Sequence, residues 1–207
     1  MKQDTGNSVH ATRKRLSIRL KAGGHSFSPD IIPAEAFEEG TEIEFSVLTH
    51  KCTLVPREAF EPSLAESYLA VVGLACGSDE RAVYAESEDI AAVMAIADGC
   101  AESIDATFGG RASYTTPLLL LSGRTTDDGR RLHICAESGV AYMTFCDRGR
   151  MLMAEALPAA GPDDILYHAA QADAEFGPEA YTLSVSGPEA KAAAKLLRKY
   201  FKEVQCE

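Results

Sequence analysis

Residues 131–157 read RLHICAESGVAYMTFCDRGRMLMAEAL. Two pairs that each contain a glycine, Ser138-Gly139 and Arg148-Gly149, divide this run into Arg131–Glu137, Val140–Asp147 and Arg150–Leu157. Two-residue loops with glycine suit the primed hairpin turns, whose twist matches that of the strands they join. The run is therefore expected to fold as a three-strand meander. With two residues in each turn, Leu132 faces Phe145, Ile134 faces Met143 and Ala136 faces Ala141. The next ladder sets Phe145 against Leu152, Met143 against Ala154 and Ala141 against Ala156. One face is then apolar throughout, as a sheet with one covered face requires. A slip of one residue brings His133, Cys135, Tyr142, Thr144 and Glu155 there instead.

Downstream, Gly161-Pro162-Asp163-Asp164 is a helix start, with proline at the first position and two carboxylates at the positive end of the dipole. Ile165, Leu166, Ala169 and Ala172 follow at helical spacing, and Gly177-Pro178 ends the segment. Tyr181–Val185 alternates as a short strand. Ser186-Gly187-Pro188 opens a second helix, with Ala190, Ala193, Ala194, Leu197, Tyr200 and Phe201 on one side and Lys191, Lys195, Arg198, Lys199 and Lys202 on its wet side. A closing edge strand is expected at Val204. Strand-strand-strand-helix-strand-helix-strand is the order of a ribonuclease-H-like sheet carrying helices.

Upstream, residues 1–12 are polar and aperiodic, expected to be a loose tail. Arg15–Leu20 alternates, Ala22-Gly23-Gly24 is a turn, His25–Ile32 returns as a strand interrupted at Pro29, and Thr41–Thr49 is a third strand. Lys51–Val55 reads as a strand, Pro56 starts a helical stretch broken at Pro62, and a helix from Ser63 ends near Gly73 or Gly77. Arg81–Glu86 and Ile90–Ala97 read as strands, although Ile90–Ile96 is equally tolerable as helix. A helix begins at Asp98 or Gly99 and closes at Gly109-Gly110, and Ala112–Leu121 mixes strand and helix signals. Thr125–Gly129 is the linker. The halves, 13–124 and 130–207, share a plan: a three-strand meander with a glycine turn, then helices alternating with strands. The expected fold class is α/β with mixed sheets, built as two duplicated ββαβαβ-type, ribonuclease-H-like lobes facing one another in the actin-like manner.

The 207 residues carry 20 Lys and Arg against 31 Asp and Glu, a formal net charge of −11. That balance opposes nucleic-acid binding, which depends on neutralising phosphates. No apolar run reaches the length of a membrane span and no signal-peptide core follows Arg13-Lys14-Arg15, so a cytoplasmic protein is expected. The six cysteines are scattered and none forms C-x-x-C, which reads as reduced structural thiols.

Leu54-Val55-Pro56, Phe60, Ala65 and Tyr68-Leu69 resemble an uncharacterised Bacteroidetes family with an actin-like ATPase fold. So do Leu132-His133-Ile134, Asp164-Ile165-Leu166-Tyr167, Leu183-Ser184-Val185-Ser186-Gly187 and Lys199-Tyr200-Phe201. The likeness spans roughly Leu16 to Val204. More distantly the chain is similar to actin-like pilus-assembly proteins, which act as cytoplasmic scaffolds. The resemblance implies a nucleotide site built from the first hairpin turn of each half and an adenosine-side turn, here Gly23 and Gly24, then Glu137, Ser138 and Gly139, then Ser186 and Gly187.

In that fold carboxylates act around Mg²⁺ while backbone N–H groups cradle phosphates. The first turn, Leu20-Lys21-Ala22-Gly23-Gly24-His25, holds no Asp or Glu, and lysine cannot ligate Mg²⁺. Glu137 can replace an aspartate, but its turn lacks the extra glycines that let a loop wrap phosphate. Ser186-Gly187 precedes a helix, an intrinsic anion position. The expected function is a non-catalytic module that binds a protein or peptide or serves as a scaffold, with a degenerate nucleotide site and no cofactor. The alternative is an ATP-binding member with weak or no hydrolysis. A third reading places His133 and Cys135 at i, i+2 with Cys146 one strand over, a thiol or metal cluster, against a simple covered sheet face.

Overall fold

The computed structural model describes residues 14–21, 32–124, 129–177 and 179–207. The expected tail over residues 1–12, the turn holding Gly23 and Gly24, the linker residues 125–128 and Pro178 lie outside them.

The first half supplies β1 (Arg15–Lys21), β2 (Glu42–Leu48), β3 (Cys52–Pro56), α1 (Ala65–Val71), β4 (Glu80–Glu86), β5 (Ile90–Ala97), α2 (Asp98–Phe108), β6 (Ala112–Thr115) and α3 (Pro117–Ser122). It forms two sheets of three strands, ordered β1-β2-β6 and β3-β5-β4. The first is parallel throughout, with Ile18 opposite Phe45 and Phe45 opposite Tyr114. This corrects the expected meander: β2 lies directly against β1, so no returning strand fits between them. Of the expected strand His25–Ile32 only Ile32 is described, and it forms a bend. The second sheet is antiparallel and centred on β5, which pairs with β3 on one side and β4 on the other. Ala91 to Ile96 are all buried, so the absence of alternation that makes the run resemble a helix reflects burial of both faces.

The second half supplies β7 (Arg130–Glu137), β8 (Val140–Asp147), β9 (Arg150–Pro158), α4 (Pro162–Phe176), β10 (Thr182–Ser186), α5 (Ala190–Leu197) and β11 (Val204–Cys206). They build one sheet ordered β11-β10-β7-β8-β9, with β7-β8-β9 antiparallel and β10 parallel to both β7 and β11. Both tight turns are of the primed kind: Ser138 and Gly139 have φ of 55° and 79°, Arg148 and Gly149 45° and 81°. The β7–β8 ladder pairs Leu132 with Phe145, Ile134 with Met143 and Ala136 with Ala141, as the sequence implies.

The β8–β9 ladder differs from the expected one. A bulge leaves Leu152 without a partner, so Phe145 pairs with Met153, Met143 with Glu155 and Ala141 with Leu157. The physical reason lies in β8, whose residues from Val140 to Cys146 are buried whichever way they point. Burial therefore does not discriminate one register from the other. The shift sends Met153 and Leu157 toward the helices and the small Ala154 and Ala156 into the core on the opposite face.

Helices α4 and α5 cover one face of this sheet, where Ile165, Ala169, Ala193 and Leu197 pack on Leu132, Ile134 and Phe145. The other face is covered from the first half: Leu118 and Leu121 of α3, Val47 of β2 and Met94 of β5 form one core with Val140, Tyr142 and Ala156. No helix among the described residues is long and apolar enough to cross a membrane.

Candidate functional site

Parallel pairing of β10 with β7 sets Ser186 opposite Cys135, so the turn after β10 comes to rest beside the turn after β7. The structure thus brings together Glu137, Ser138, Gly139, Ser186 and Gly187. Two residues that the sequence did not single out complete the neighbourhood, Arg19 and Glu189.

Glu137 ends β7 with its side chain 8% exposed, and its Oε1 forms an ion pair with Arg19 Nε at 2.8 Å. The bridge joins β1 of the first half to β7 of the second. A carboxylate buried to this degree requires an opposite charge, and Arg19 supplies it. On the other side of the turn, the Ser138 N–H donates to Glu189 Oε1 at 3.1 Å. The amide that an anionic ligand would take is therefore held by the chain's own carboxylate.

The turn between β10 and α5 lies flat on β7. Glu189 N–H donates to the Ala136 carbonyl at 3.3 Å, and the Ser186 hydroxyl reaches toward the Ile134 carbonyl at 3.5 Å. Gly187 has φ of +94°, and a Cβ there would stand 2.5 Å from the Ala136 carbonyl oxygen. Its lack of a side chain serves close backbone packing as well as backbone freedom.

The face expected to carry the thiol or metal cluster is closed. Cys146 does share a face with His133 and Cys135, but His133 Nδ1 shares a 2.7 Å hydrogen bond with the Ser184 hydroxyl, and both residues are buried. Burial holds the imidazole below its usual range, helped by the cationic Arg131 and Arg124 and opposed by Glu207. Burial pushes the thiols of Cys135 and Cys146 up, and that of Cys52 to about 12, so these sulfurs are neutral. All six cysteines are free, and among the described residues no three His, Cys, Asp or Glu side chains gather as metal ligands. Asp164 accepts the Ala160 N–H at 2.7 Å, a helix-capping role.

Open space lies elsewhere. A groove of about 890 Å³ runs between β4 and β6, lined by consecutive residues Arg81–Glu86 and Ala112–Thr115 and by Leu119 and Leu120 of α3. Consecutive lining residues mean that strand edges, with their backbone groups, border it. Among the described residues β4 pairs only with β5 and β6 only with β2, which leaves both edges unpaired. Tyr84 and Leu120 are exposed apolar surface along its walls. The sequence carries no signal for it, since Ala112–Leu121 mixes strand and helix signals and nothing local brings that segment beside Arg81–Glu86.

No protein-family model matches the chain, and no curated protein is similar to it. Solved structures are. A Bacteroides thetaiotaomicron protein with an actin-like ATPase fold and unknown function superposes with a TM-score of 0.68 at 13% identity, over 80% of this chain and 68% of that one. The PilM-PilN type IV pilus biogenesis complex gives 0.50 at 12% identity, over 80% and 69%. The cytoplasmic domain of EpsL, from the type II secretion system of Vibrio cholerae, gives 0.46 at 13%, over 84% and 81%. At such identities the likeness is one of fold, and that fold is the one the sequence resemblance implied: this is a mixed α/β chain with the actin-like ATPase fold.

Proposed function

We propose that this chain is a non-catalytic actin-like module that binds a protein or peptide, with 13–124 and 130–207 as its two lobes and the groove between β4 and β6 as its docking place. The observation that carries the reading is that groove: two unpaired strand edges border it, and an extended peptide satisfies such edges by adding a strand while apolar walls take its side chains. Support also comes from the polar turns, where Arg19 holds Glu137 and Glu189 holds Ser138. One solved neighbour of similar fold, PilM, is itself in a complex with another protein, PilN. A cytoplasmic, scaffold-like role follows the same line.

The test places a photo-crosslinking residue at Ser113, on the groove, or at Tyr167, exposed on α4 away from it. The expected result is a partner adduct at 113 that is lost in Leu120→Asp and absent at 167. Equal labelling at both positions, or none at 113, overturns the reading. The second reading, ATP binding without turnover, is favoured by the convergence of Ser138, Gly187 and the start of α5. It requires Mg-ATP at about 100 times its dissociation constant to stabilise the fold by about 2.7 kcal/mol. An unchanged melting temperature at millimolar nucleotide removes it.

A further inference from the structure

Past the C-terminal ends of α4 and α5 the second half carries a cavity of about 430 Å³ that shares no lining residue with the β4–β6 groove. Its walls are aromatic: Tyr181, Tyr200 and Phe201. Tyr181 is fixed in place, its ring edge-on to Phe145 at 5.4 Å and its hydroxyl donating to Asp173 Oδ1 at 2.7 Å. Phe201 packs on the core beneath, whereas Tyr200 is 67% exposed. Asp173, Glu179 and Glu203 stand on the same lining against one cation, Lys202, and none of the three has an ion-pair partner among the described residues. Two helix C-termini add their partial negative charge, although Arg130 already takes the Phe176 carbonyl at the end of α4.

We propose that this cavity receives an arginine side chain of a partner protein. Ring faces carry negative potential and attract a cation, and the unpaired carboxylates attract it from beside the rings. A guanidinium suits the place better than an ammonium, because it is flat, weakly hydrated and able to stack on a ring while its fork reaches a carboxylate. The chain shows the same mode next to the cavity. Arg130 lies over the Phe145 ring at 5.2 Å and donates to the carbonyl of Glu179, itself a lining residue. The formal net charge of −11 also draws a basic partner toward the molecule and repels an acidic one. The β4–β6 groove offers strand edges and apolar walls; this second surface, on the other half, selects by charge and does not depend on what fills the groove.

The experiment follows the aromatic ring signals of Tyr181, Tyr200 and Phe201 by carbon–proton NMR while acetyl-Ala-Arg-Ala-amide is added at constant ionic strength. The same peptide with lysine or with citrulline, which keeps the shape of arginine without its charge, serves for comparison. The arginine peptide is expected to give a saturable shift, the lysine peptide a weaker one and the citrulline peptide none. Tyr200→Ala and, separately, Glu203→Gln are each expected to weaken arginine binding about fivefold, the size of a partly exposed cation–ring or charge contact. Both positions are exposed, and Glu203→Gln serves as the readout if the alanine variant does not fold. No saturable shift at tens of millimolar arginine peptide overturns the proposal. So does a citrulline or lysine peptide that binds as tightly, or arginine binding that is unchanged in a folded Tyr200→Ala or Glu203→Gln variant.

Discussion

Gly187 serves the fold through the side chain it lacks, which lets the turn after β10 lie on the backbone of Ala136. The consequence separates two kinds of glycine. Gly40 also has a positive φ, +80°, but a Cβ there meets nothing within 4 Å. Gly40→Ala should therefore cost about 1 kcal/mol, the backbone contribution alone. Gly187→Ala adds a clash with a carbonyl oxygen and should cost at least about 2–3 kcal/mol in urea unfolding. Equal losses for the two would mean that the turn stands off from β7. His133 gives a prediction of pH. Its folded pKa lies below the unfolded value of 6.5, so the unfolded chain takes up a proton that the fold refuses. The stability contribution is present above about 6.5 and is lost as pH falls through that value toward the folded pKa. Stability measured from pH 7.5 to 5 should fall less steeply in His133→Gln than in the unaltered chain. Identical slopes would place the imidazole in water rather than against Ser184.

At the level of elements, turns were legible and pairings less so. Glycine chemistry located both hairpins of the second half, since few residues other than glycine enter the left-handed region readily. The bulge at Leu152 was not legible, because β8 is apolar on both faces and either register of β9 buries carbon. The segment Ala112–Leu121 read as mixed because it is mixed: β6 runs into α3 through Thr116, with Pro117 opening the helix. The first half's two sheets were missed for a related reason. Alternation marks β1 and β2 as strands, but nothing local states that they are parallel neighbours. Within α3 the side chains divide the labour, Leu118 and Leu121 entering the core shared by both halves and Leu120 lining the groove. Leu118→Ala should then cost about 2–5 kcal/mol, as a buried leucine truncated to a cavity does. Leu120→Asp should change stability by less than about 0.5 kcal/mol, as an exposed position away from special contacts does. Urea unfolding of both variants checks the pair, and a large loss in Leu120→Asp would mean that the groove wall is structural.

For the whole molecule, the question is whether the two halves behave as one body. The structure brings Glu137, Ser138, Gly139, Ser186 and Gly187 into one neighbourhood, whereas Arg19 and Glu189, which join it, were not legible in the sequence because their partners lie far away along the chain. The same long-range joining operates in the core. Tyr142, fully buried in the second half's sheet, packs in one cluster with Val47, Met94 and Leu118 from the first half, and Arg19 reaches Glu137 across the same boundary. Neither half keeps its burial without the other, since the face of β8 that Tyr142 occupies has its cover from α3 and the first half. Unfolding should accordingly be a single transition. The chain contains no tryptophan, so one introduced at Phe37 and, in a second variant, one at Tyr167 report the halves separately from exposed positions. Their urea midpoints should coincide with each other and with the midpoint of far-ultraviolet circular dichroism. Two separated midpoints would show that the halves are independent units joined by a seam.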